Sequence, residues 1–369
     1  MNDELRGEAL SLLRQFTEAP GPPGHEDSVR SLFHQLLAGR PDHRFECDRL
    51  GSIVCRRSGD PETGPNVLVT AHLDEVGFLV QSVAASGLLP FLPLGSWWPH
   101  SLLAQRVTVI TRSGKRVLGV IGSTPPHLLP DEARRRVLPI EAMFIDVGAR
   151  DSAQATGEFG IRPGDPVVPV ASFEQLQDPD VLLAKAFDNR SGIALLTQCL
   201  QRRPPTALPY QLVGAATVQE EIGLRGARTA ARLIQPSLTF VLEGPPADDT
   251  FGLSPGQVQG GLGLGVQIRV SDPSALMNRR LVDFCIDTAH EAGIPHQTAV
   301  RRNGGTDAGA FHLHDAGVPC VVLGVPARYI HSHNSIIHLA DYLAALRLLE
   351  AVLDRLTPER IASFTRFLT

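Results

Sequence analysis

The chain has 369 residues, of which 43% are hydrophobic and 20% are charged, and its formal net charge is −5 at pH 7. This length favours a large domain plus a smaller one, and the composition excludes disordered, fibrous and disulfide-dense proteins. The modest charge and the lack of a Lys/Arg tract argue against nucleic-acid binding and a polybasic membrane anchor. We therefore expect a small molecule or peptide as partner.

The cysteines and the first residues bear on the cellular compartment. The five cysteines are scattered and form no Cys-x-x-Cys pair, so we expect reduced thiols rather than a zinc ribbon or redox motif. Residues 1–16 are acidic and amphipathic, unlike a secretory leader, and no run of 18 apolar residues occurs. These features predict a cytoplasmic protein that does not span a membrane.

The hydrophobic pattern predicts helices that alternate with buried strands. A first helix is predicted at Glu26–Leu37, after a turn rich in proline and glycine. Apolar runs typical of buried strands follow at Asn66–His72, Gln211–Gln219, Ser237–Glu243 and Pro319–Pro326. Further helices are predicted at Ser191–Leu200 and Asn278–Gly293. This alternation favours an α/β fold with a central, mixed but mainly parallel sheet flanked by helices.

Between about Glu75 and Pro169 the pattern changes to short alternating stretches with frequent glycine and proline turns. Only one helix is predicted there, a polar one around Asp131 to Arg136. The α/β pattern resumes at Leu182, so the β-rich segment interrupts the main domain instead of following it. We predict a main domain of residues 1–74 and 170–369, with residues 75–169 inserted as a small β domain.

Side chains that can bind metal stand where predicted strands end. His72 ends the first strand, and Glu243 ends the strand that begins at Ser237. Ligands bind outside the carboxyl ends of strands in open α/β sheets, so we expect these residues at one edge. Strand alternation places Asp74 on the same side as His72, and carboxylates commonly support metal-binding histidines. The alternative is a capped strand end with a hydrogen-bonded histidine.

Two adjacent carboxylates, Glu220 and Glu221, follow the predicted strand that begins at Gln211. Such a pair near a buried strand is costly, because of desolvation and repulsion, unless cations or protons compensate. Adjacent side chains also diverge in direction, so one carboxylate can bind a metal while the other faces a substrate. A solvated turn is the alternative interpretation.

Three more residues complete the candidate set. Asp188 precedes the helix predicted at Ser191–Leu200, where helix capping is its simplest role. His331 and His333 follow the last strand and offer imidazoles that suit zinc, cobalt or related metals, although either could be an ordinary surface residue. Each feature is modest alone, but together these side chains form the donor set that divalent metals with nitrogen and oxygen ligands require.

Five stretches occur in one order along nearly the whole chain: AHLDEVGF at Ala71–Phe78, AKAFDNRSG at Ala184–Gly192, VQEEIGLRGA at Val218–Ala227, NGGTDAG at Asn303–Gly309 and PARYIHS at Pro326–Ser332. In this order they resemble the M42 metallopeptidases, which include glutamyl aminopeptidases and the tetrahedral TET aminopeptidases. The inserted segment, through GVIGSTPPH, FIDVGARD and GIRPGD, resembles the family's small β-barrel dimerisation domain.

The resemblance implies a phosphorylase/peptidase-like fold and an aminopeptidase with two divalent metal ions per subunit, zinc or cobalt. Asp188 would bridge the two metals. The remaining ligands would be Glu221 with His331 on one metal, and His72 with Glu243 on the other. Short peptides would be the substrates, and the chain would form a homo-oligomer built from dimers, up to a dodecamer.

The resemblance also implies two catalytic carboxylates that do not bind metal: Glu220 as general base and Asp74 as an acid that supports the site. The sequence departs from the family at two places. Glu243 stands where many members have aspartate, which weakens the inference about the second metal. The glycine-rich stretch Gly260–Gly265 lacks the small charged or polar residue often found there, so the side-chain preference stays open.

Other functions remain as alternatives. The same ligand chemistry would serve another two-metal amidohydrolase, such as a deacylase or carboxypeptidase. A glycosidase is disfavoured because it needs two carboxylates facing one bond across a gap. A non-catalytic oligomeric scaffold is a further alternative, because fold alone does not prove chemistry. The presence of all five implied ligands and Glu220 argues against it, since a decayed site would lose at least one of them.

Overall fold

The computed structural model describes residues 3–61, 63–204, 206–254 and 257–368. Its α-helices are α1 (Asp3–Glu18), α2 (Asp27–Ala38), α3 (Asp131–Arg134), α4 (Phe187–Arg202), α5 (Arg225–Ile234), α6 (Arg279–Glu291), α7 (Ala308–Phe311), α8 (Leu339–Asp354) and α9 (Pro358–Ser363). The first nine strands are β1 (His43–Cys47), β2 (Ile53–Arg57), β3 (Asn66–His72), β4 (Gly77–Val80), β5 (Phe91–Leu94), β6 (Arg106–Ile110), β7 (Arg116–Gly122), β8 (Phe144–Asp146) and β9 (Pro166–Pro169). The others are β10 (Glu174–Gln175), β11 (Val181–Ala184), β12 (Gln211–Thr217), β13 (Leu238–Glu243), β14 (Val266–Asp272), β15 (Ala275–Leu276), β16 (His296–Val300), β17 (Cys320–Gly324), β18 (Ala327–Arg328) and β19 (Ser335–His338).

The largest sheet has the strand order β1-β2-β12-β3-β13-β17-β14-β15, with β16 paired to β14. Strands β12, β3, β13 and β17 form its centre and run parallel to one another. The flanking pairs β2/β12 and β14/β17 are antiparallel. The sheet is therefore mixed with a parallel centre, which confirms the α/β class predicted from the sequence.

The central strands are apolar because both of their faces are covered. Every residue of β12, β13 and β17 is buried. Helices α4, α6 and α8 pack against the sheet and one another, and α5 and α7 form a separate pair against it. Strands covered on both faces need near-continuous hydrophobic runs, and these are the runs that made the strands visible in the sequence.

A second sheet, wholly antiparallel, lies between Gly77 and Pro169 and has the order β5-β4-β9-β6-β7-β8. Leu89, just before β5, and Ile145 in β8 exchange two backbone hydrogen bonds of 2.9 Å, so the two ends of this sheet approach each other. Its interior is a separate hydrophobic cluster that runs from Val76 to Val167. The polar helix predicted in this segment is present as α3.

Several elements of the structure differ from the prediction or were not predicted, among them α1, β14 and α8. Helix α4 begins at Phe187 rather than Ser191, and Asp188 and Asn189 inside it have non-helical dihedral angles. A four-stranded sheet, in the order β10-β11-β19-β18, was not predicted. Its strands have only two to four residues, which is too short for a periodic hydrophobic pattern.

Candidate metal and catalytic site

The carboxyl ends of three neighbouring parallel strands converge at one edge of the large sheet. His72 is the last residue of β3 and pairs in register with Thr217, the last residue of β12. Glu243 is the last residue of β13, the neighbour of β3 on its other side. Glu220 and Glu221 follow β12 by three and four residues. Parallel pairing brings these side chains together because all three strands end at the same edge.

Asp188 lies between two histidines. Its Oδ1 atom is 3.2 Å from Nε2 of His72, and its Oδ2 atom is 3.3 Å from Nε2 of His331. The two oxygens of this carboxylate thus face different imidazoles. Asp188 comes from the start of α4, and His331 comes from the loop between β18 and β19. A carboxylate placed in this way can bridge two ions.

Each imidazole also faces a second carboxylate. Oε2 of Glu221 is 3.3 Å from Nε2 of His331, and Oε1 of Glu243 is 3.5 Å from Nε2 of His72. The structure therefore brings together all five predicted ligands. Glu220 joins them, with its Oε2 atom 3.9 Å from Nε2 of His72. The six side chains line a cavity of about 360 Å³.

The cluster has the properties expected of a cation site. Oε1 of Glu221 and Oε2 of Glu243 are buried and have no hydrogen-bond partner among the described residues. Donor atoms of His72, Glu220 and Glu243 lie within 4.8 Å of one another, and so do those of His72, Asp188 and Glu221. Buried carboxylates without partners are unfavourable unless a cation or proton compensates. Nitrogen and oxygen donors of this kind suit divalent metals.

The pKa values reflect this concentration of charge. Burial raises the pKa of Glu220 well above its ordinary value, raises that of Glu221, and raises that of Glu243 to about 7. Burial alone would lower the pKa of His331, but Glu221 and Asp188 outweigh it and raise the value to about 11. The metal-free cluster therefore holds protons tightly, because positive charge is needed among its carboxylates.

Asp74 fixes two parts of the cluster at once. Its carboxylate oxygens each accept a backbone N–H at 3.0 Å, Oδ1 from Glu220 and Oδ2 from Glu221. Its backbone carbonyl oxygen lies 3.1 Å from Nδ1 of His72. The sequence predicted that the carboxylate of Asp74 supports His72, but its Oδ1 atom is 3.4 Å from Nδ1 of His72 and the shorter contact is that of the backbone carbonyl. The hydrogen bonds of Asp74 to the backbone of the two glutamates were not predicted. These bonds join residues that are 146 and 147 positions apart.

Comparison with known proteins identifies the family of this chain. The model of the M42 glutamyl aminopeptidase family matches residues 51–348. The chain belongs to the M42 family. It is accordingly a metallo-aminopeptidase, a hydrolase that acts at the N-terminus of peptides, and divalent metal is implied by the family.

Individual M42 proteins match along nearly their full length. Glutamyl aminopeptidase of Lactococcus lactis subsp. cremoris is 36% identical over 98% of this chain and 100% of that protein. The TET aminopeptidase of Thaumarchaeota archaeon SCGC AB-539-E09 is 38% identical, with a TM-score of 0.92 over 98% of this chain and 99% of that one. Pyrococcus horikoshii TET1 peptidase, which can assemble into a tetrahedron or a large octahedral shell, is 30% identical, with a TM-score of 0.83 over 94% and 99%. The resemblance inferred from the five motifs is confirmed.

In this M42 chain, helix capping falls to Asn189 rather than to Asp188. Oδ1 of Asn189 accepts the backbone N–H of Gly192 at 3.1 Å, while its Nδ2 donates to the carbonyl of Leu242 at 2.8 Å. The capping role considered for Asp188 is therefore wrong. Because Asn189 satisfies the helix terminus, the carboxylate of Asp188 is free to face the two imidazoles.

His333, the second histidine of its motif, lies outside the cluster. Its ring packs 5.7 Å from that of Trp97, and burial lowers its pKa to about 4.

Two residues near the cluster were not predicted. Asp307 is buried and accepts the hydroxyl of Thr217 at 2.5 Å, and burial raises its pKa to about 6. Arg269 lines the cavity. In the sequence, only the motif NGGTDAG indicated Asp307, and only the position of a charged residue within an apolar strand indicated Arg269.

The glycine-rich stretch Gly260–Gly265 is fastened to α8. Asp341 accepts backbone N–H groups from Gly263 at 2.7 Å and from Gly265 at 2.6 Å. The glycines that line the cavity of the cluster come from elsewhere, at positions 244, 304 and 305.

Within the described part of the chain, no helix is long and apolar enough to cross a membrane.

Proposed function

We propose that this chain is a two-metal aminopeptidase that removes single residues from the N-terminus of short peptides. The observation that carries the proposal is the placement of Asp188, whose two carboxylate oxygens face different histidines at 3.2 and 3.3 Å. The unpartnered oxygens of Glu221 and Glu243, one on each side, support it. A bridging carboxylate flanked by two ligand pairs is the arrangement that a two-metal site needs.

The ligands divide between the two metals as follows. Asp188 would be shared by both metals, Glu221 and His331 would hold one, and His72 and Glu243 would hold the other. Zinc and cobalt suit these donors, and manganese is also compatible. When bound, two such cations lower the pKa of water and neutralise the charge that develops on the scissile carbonyl oxygen. Because Glu243 is longer than the more common aspartate, its metal should be the weaker of the two.

The carboxylate of Glu220 is the general base in this proposal. It takes a proton from the attacking water and passes it to the leaving amine. Burial raises the pKa of Glu220 when no cation is present, and cations beside it would lower this pKa and favour the ionised form that accepts a proton. Asp74 acts by orientation, because it holds the backbone of Glu220 and contacts His72. Each of these residues then serves the reaction without binding metal.

The substrate's free α-amino group is the feature that the site would select. The charge of the four carboxylates that line the cavity, from Asp188, Glu220, Glu221 and Glu243, would be balanced by two divalent cations, so the amine would be recognised as a nitrogen donor and not as a cation. Acetylation delocalises the nitrogen lone pair and removes a donor hydrogen. With zinc or cobalt loaded, a free-amine peptide should be shortened one residue at a time, and its N-acetylated twin should be refused.

Mass spectrometry of the two peptides gives the test. Equal cleavage of both, or cleavage at internal bonds, would favour the alternative of a deacylase or an endopeptidase. No cleavage of any peptide by the metal-loaded protein would favour the scaffold. Elemental analysis adds an independent criterion, since a content at or below one metal per chain after reconstitution would contradict the bridging role of Asp188.

We also propose that residues 75–169 form the small β-barrel through which two chains dimerise, and that the dimers build a larger shell up to a dodecamer. Leu118 and Val120 of β7 support this, because both apolar side chains point outward and are 50% and 42% exposed. Apolar side chains grouped on a surface are typical of interfaces. A closed shell would restrict substrates to short peptides. The cytoplasmic location inferred from the sequence stays a prediction.

A further inference from the structure

A buried group of three ionisable side chains, Glu75, Lys185 and Arg190, lies next to the cluster, and we refer to it as the ionic triad. The side chains are 1%, 5% and 0% exposed. Lys185 donates to Oε2 of Glu75, and Nη2 of Arg190 lies 3.3 Å from Oε1 of Glu75. Burying ionised groups costs several kcal/mol per ion, so a triad of this kind is a weak source of stability. What it can supply is a fixed geometry.

The triad joins the two chain segments that carry the centre of the cluster. Glu75 directly follows Asp74, while Lys185 and Arg190 stand three residues before and two residues after Asp188. The bond between Glu75 and Lys185 spans 110 positions of sequence. The triad therefore holds the segment that contains Asp74 and the segment that contains Asp188 together, close to the cluster.

The triad is itself anchored to the end of α1 and to the connection between α1 and α2. Nη1 of Arg190 donates to the carbonyls of Phe16 at 3.1 Å and Ala19 at 3.0 Å, and Nη2 donates to Gly21 at 3.3 Å. Gly21 and Glu75 exchange two further hydrogen bonds, one from each backbone N–H, of 3.1 and 3.0 Å. Because Arg190 and Glu75 each have several partners, the triad has little freedom to shift.

The triad also lies beside the cluster in space. Glu75 and Lys185 line a small cavity of about 10 Å³ together with Asp188 and His331. On the other side, Asp74 links the triad to the backbone of both glutamates that follow β12. A displacement of the triad would therefore shift both Asp188, the proposed bridging ligand, and Glu220, the proposed general base.

We infer that Glu75, Lys185 and Arg190 are positioning residues, which hold Asp74 and Asp188 at the separation at which the cluster binds two cations. This inference rests on the proposed two-metal function. It assigns the triad no contact with substrate or metal. Outer residues that orient ligands typically contribute ten- to a hundredfold to metal affinity or activity, and a similar size is expected here.

The decisive variant is Lys185→Met, which removes the charge and keeps a long side chain. The metal-free variant should bind zinc at least about tenfold more weakly than the metal-free wild type, measured by competition with a chelator. At saturating zinc, kcat for a free-amine peptide should fall while KM changes little, because the substrate contacts are untouched. Lys185→Arg should recover most of the zinc affinity, because it restores the positive charge beside Glu75.

Arg57→Met is the matched control. Arg57 is also a buried cation, with a side chain 1% exposed and carboxylates of Asp42 and Asp60 at 3.9 Å. It ends β2 next to the start of β12, whereas the cluster is at the opposite end of that strand. Arg57→Met should lower the midpoint of urea unfolding and leave zinc affinity unchanged. Comparing Arg57→Met with Lys185→Met separates a loss of stability from a displacement of the metal-binding residues.

Glu75→Gln decides the matter if Lys185→Met does not fold, because it keeps the shape of the side chain and removes only the charge. The positioning role would be overturned if Glu75→Gln bound zinc as tightly as the wild type and lost stability as Arg57→Met does. The same result for Lys185→Met, where that variant folds, would be required. A wild-type protein that binds fewer than two zinc ions would instead contradict the two-metal proposal. The two failures are therefore distinguishable.

Discussion

The carboxyl edge of the large sheet and the interior of the six-stranded sheet are built from opposite kinds of residue. At the edge, buried carboxylates and imidazoles face one another, and oxygens of Glu221 and Glu243 lack hydrogen-bond partners among the described residues. The interior of the six-stranded sheet is a cluster of buried hydrophobic side chains. Its outward surface carries exposed apolar residues such as Leu118 and Val120.

This difference indicates how the two regions contribute to function. A cluster of buried like charges is unfavourable by itself, so the sheet edge should depend on bound cations for its stability. The six-stranded sheet has an ordinary apolar interior, and its exposed apolar residues are the surface at which we propose contact with another chain. Changes at the edge should therefore alter chemistry and metal binding, and changes in the six-stranded sheet should alter assembly or stability.

The largest effect is expected from Glu220→Gln. It should reduce turnover at least about a hundredfold, the low end for loss of a general base, while fold and metal content stay unchanged. Glu221→Gln is the matched comparison, since it should lose metal. Steady-state kinetics and elemental analysis measure both. If both variants kept two metals and wild-type turnover, the roles assigned to this pair would be wrong.

Removal of metal should be the next largest effect, and it should depend on pH. Metal at about 100 times its dissociation constant stabilises a protein by about 2.7 kcal/mol. In the metal-free protein, the pKa of Glu243 is raised from 4.5 to about 7, and that of His331 from 6.5 to about 11. For both groups the folded state binds the proton more tightly than the unfolded state, so stability falls as pH rises.

Between pH 5 and 9, the metal-free protein should accordingly lose stability with rising pH, and zinc should reverse the loss. Urea unfolding at several pH values, with chelator and with zinc, measures this. A metal-free protein whose stability rises over that range would contradict the sign of these shifts. The same curve with and without zinc would contradict cation binding at the edge.

Assembly provides the third test of the comparison. Leu118→Asp places a charge on the outward face of β7 and should convert the oligomer to a monomer, without loss of zinc affinity. Leu276→Asp is the control, because Leu276 is 77% exposed and lies on β15 of the large sheet, outside residues 75–169. Light scattering at micromolar concentration measures both variants. A monomeric wild type would refute dimerisation, and a dimeric Leu118→Asp variant would refute this interface.

The smallest effect is expected inside the six-stranded sheet. Ile121→Val should lower the free energy of unfolding by about 1 kcal/mol, because it removes one buried methylene group. Zinc affinity should not change, since Ile121 belongs to the separate hydrophobic cluster. Denaturant titration and chelator competition test the two statements. A weaker zinc affinity would show that the two regions are more tightly coupled than their separate interiors indicate.

Much of the α/β fold could be predicted because its information is local. The run Asn66–His72 is apolar and ends in a histidine, and β3 has the same bounds in the structure. Likewise β13 ends at Glu243, as predicted. Strands that are buried on both faces must be apolar over their whole length, so the sequence marks where they begin and end. The short strands β10 and β18 carry no such pattern and were missed.

The sequence by itself determined the family, through five ordered motifs, and the residue types available for metal binding. The tertiary structure decided how they meet: the oxygens of Asp188 face two histidines, Asn189 donates to the carbonyl of Leu242, and Asp74 accepts the backbone N–H of Glu220. Helical and strand periodicity describe neighbours along the chain. These contacts join residues that strand order brings together from more than 50 positions apart, and no local pattern records them.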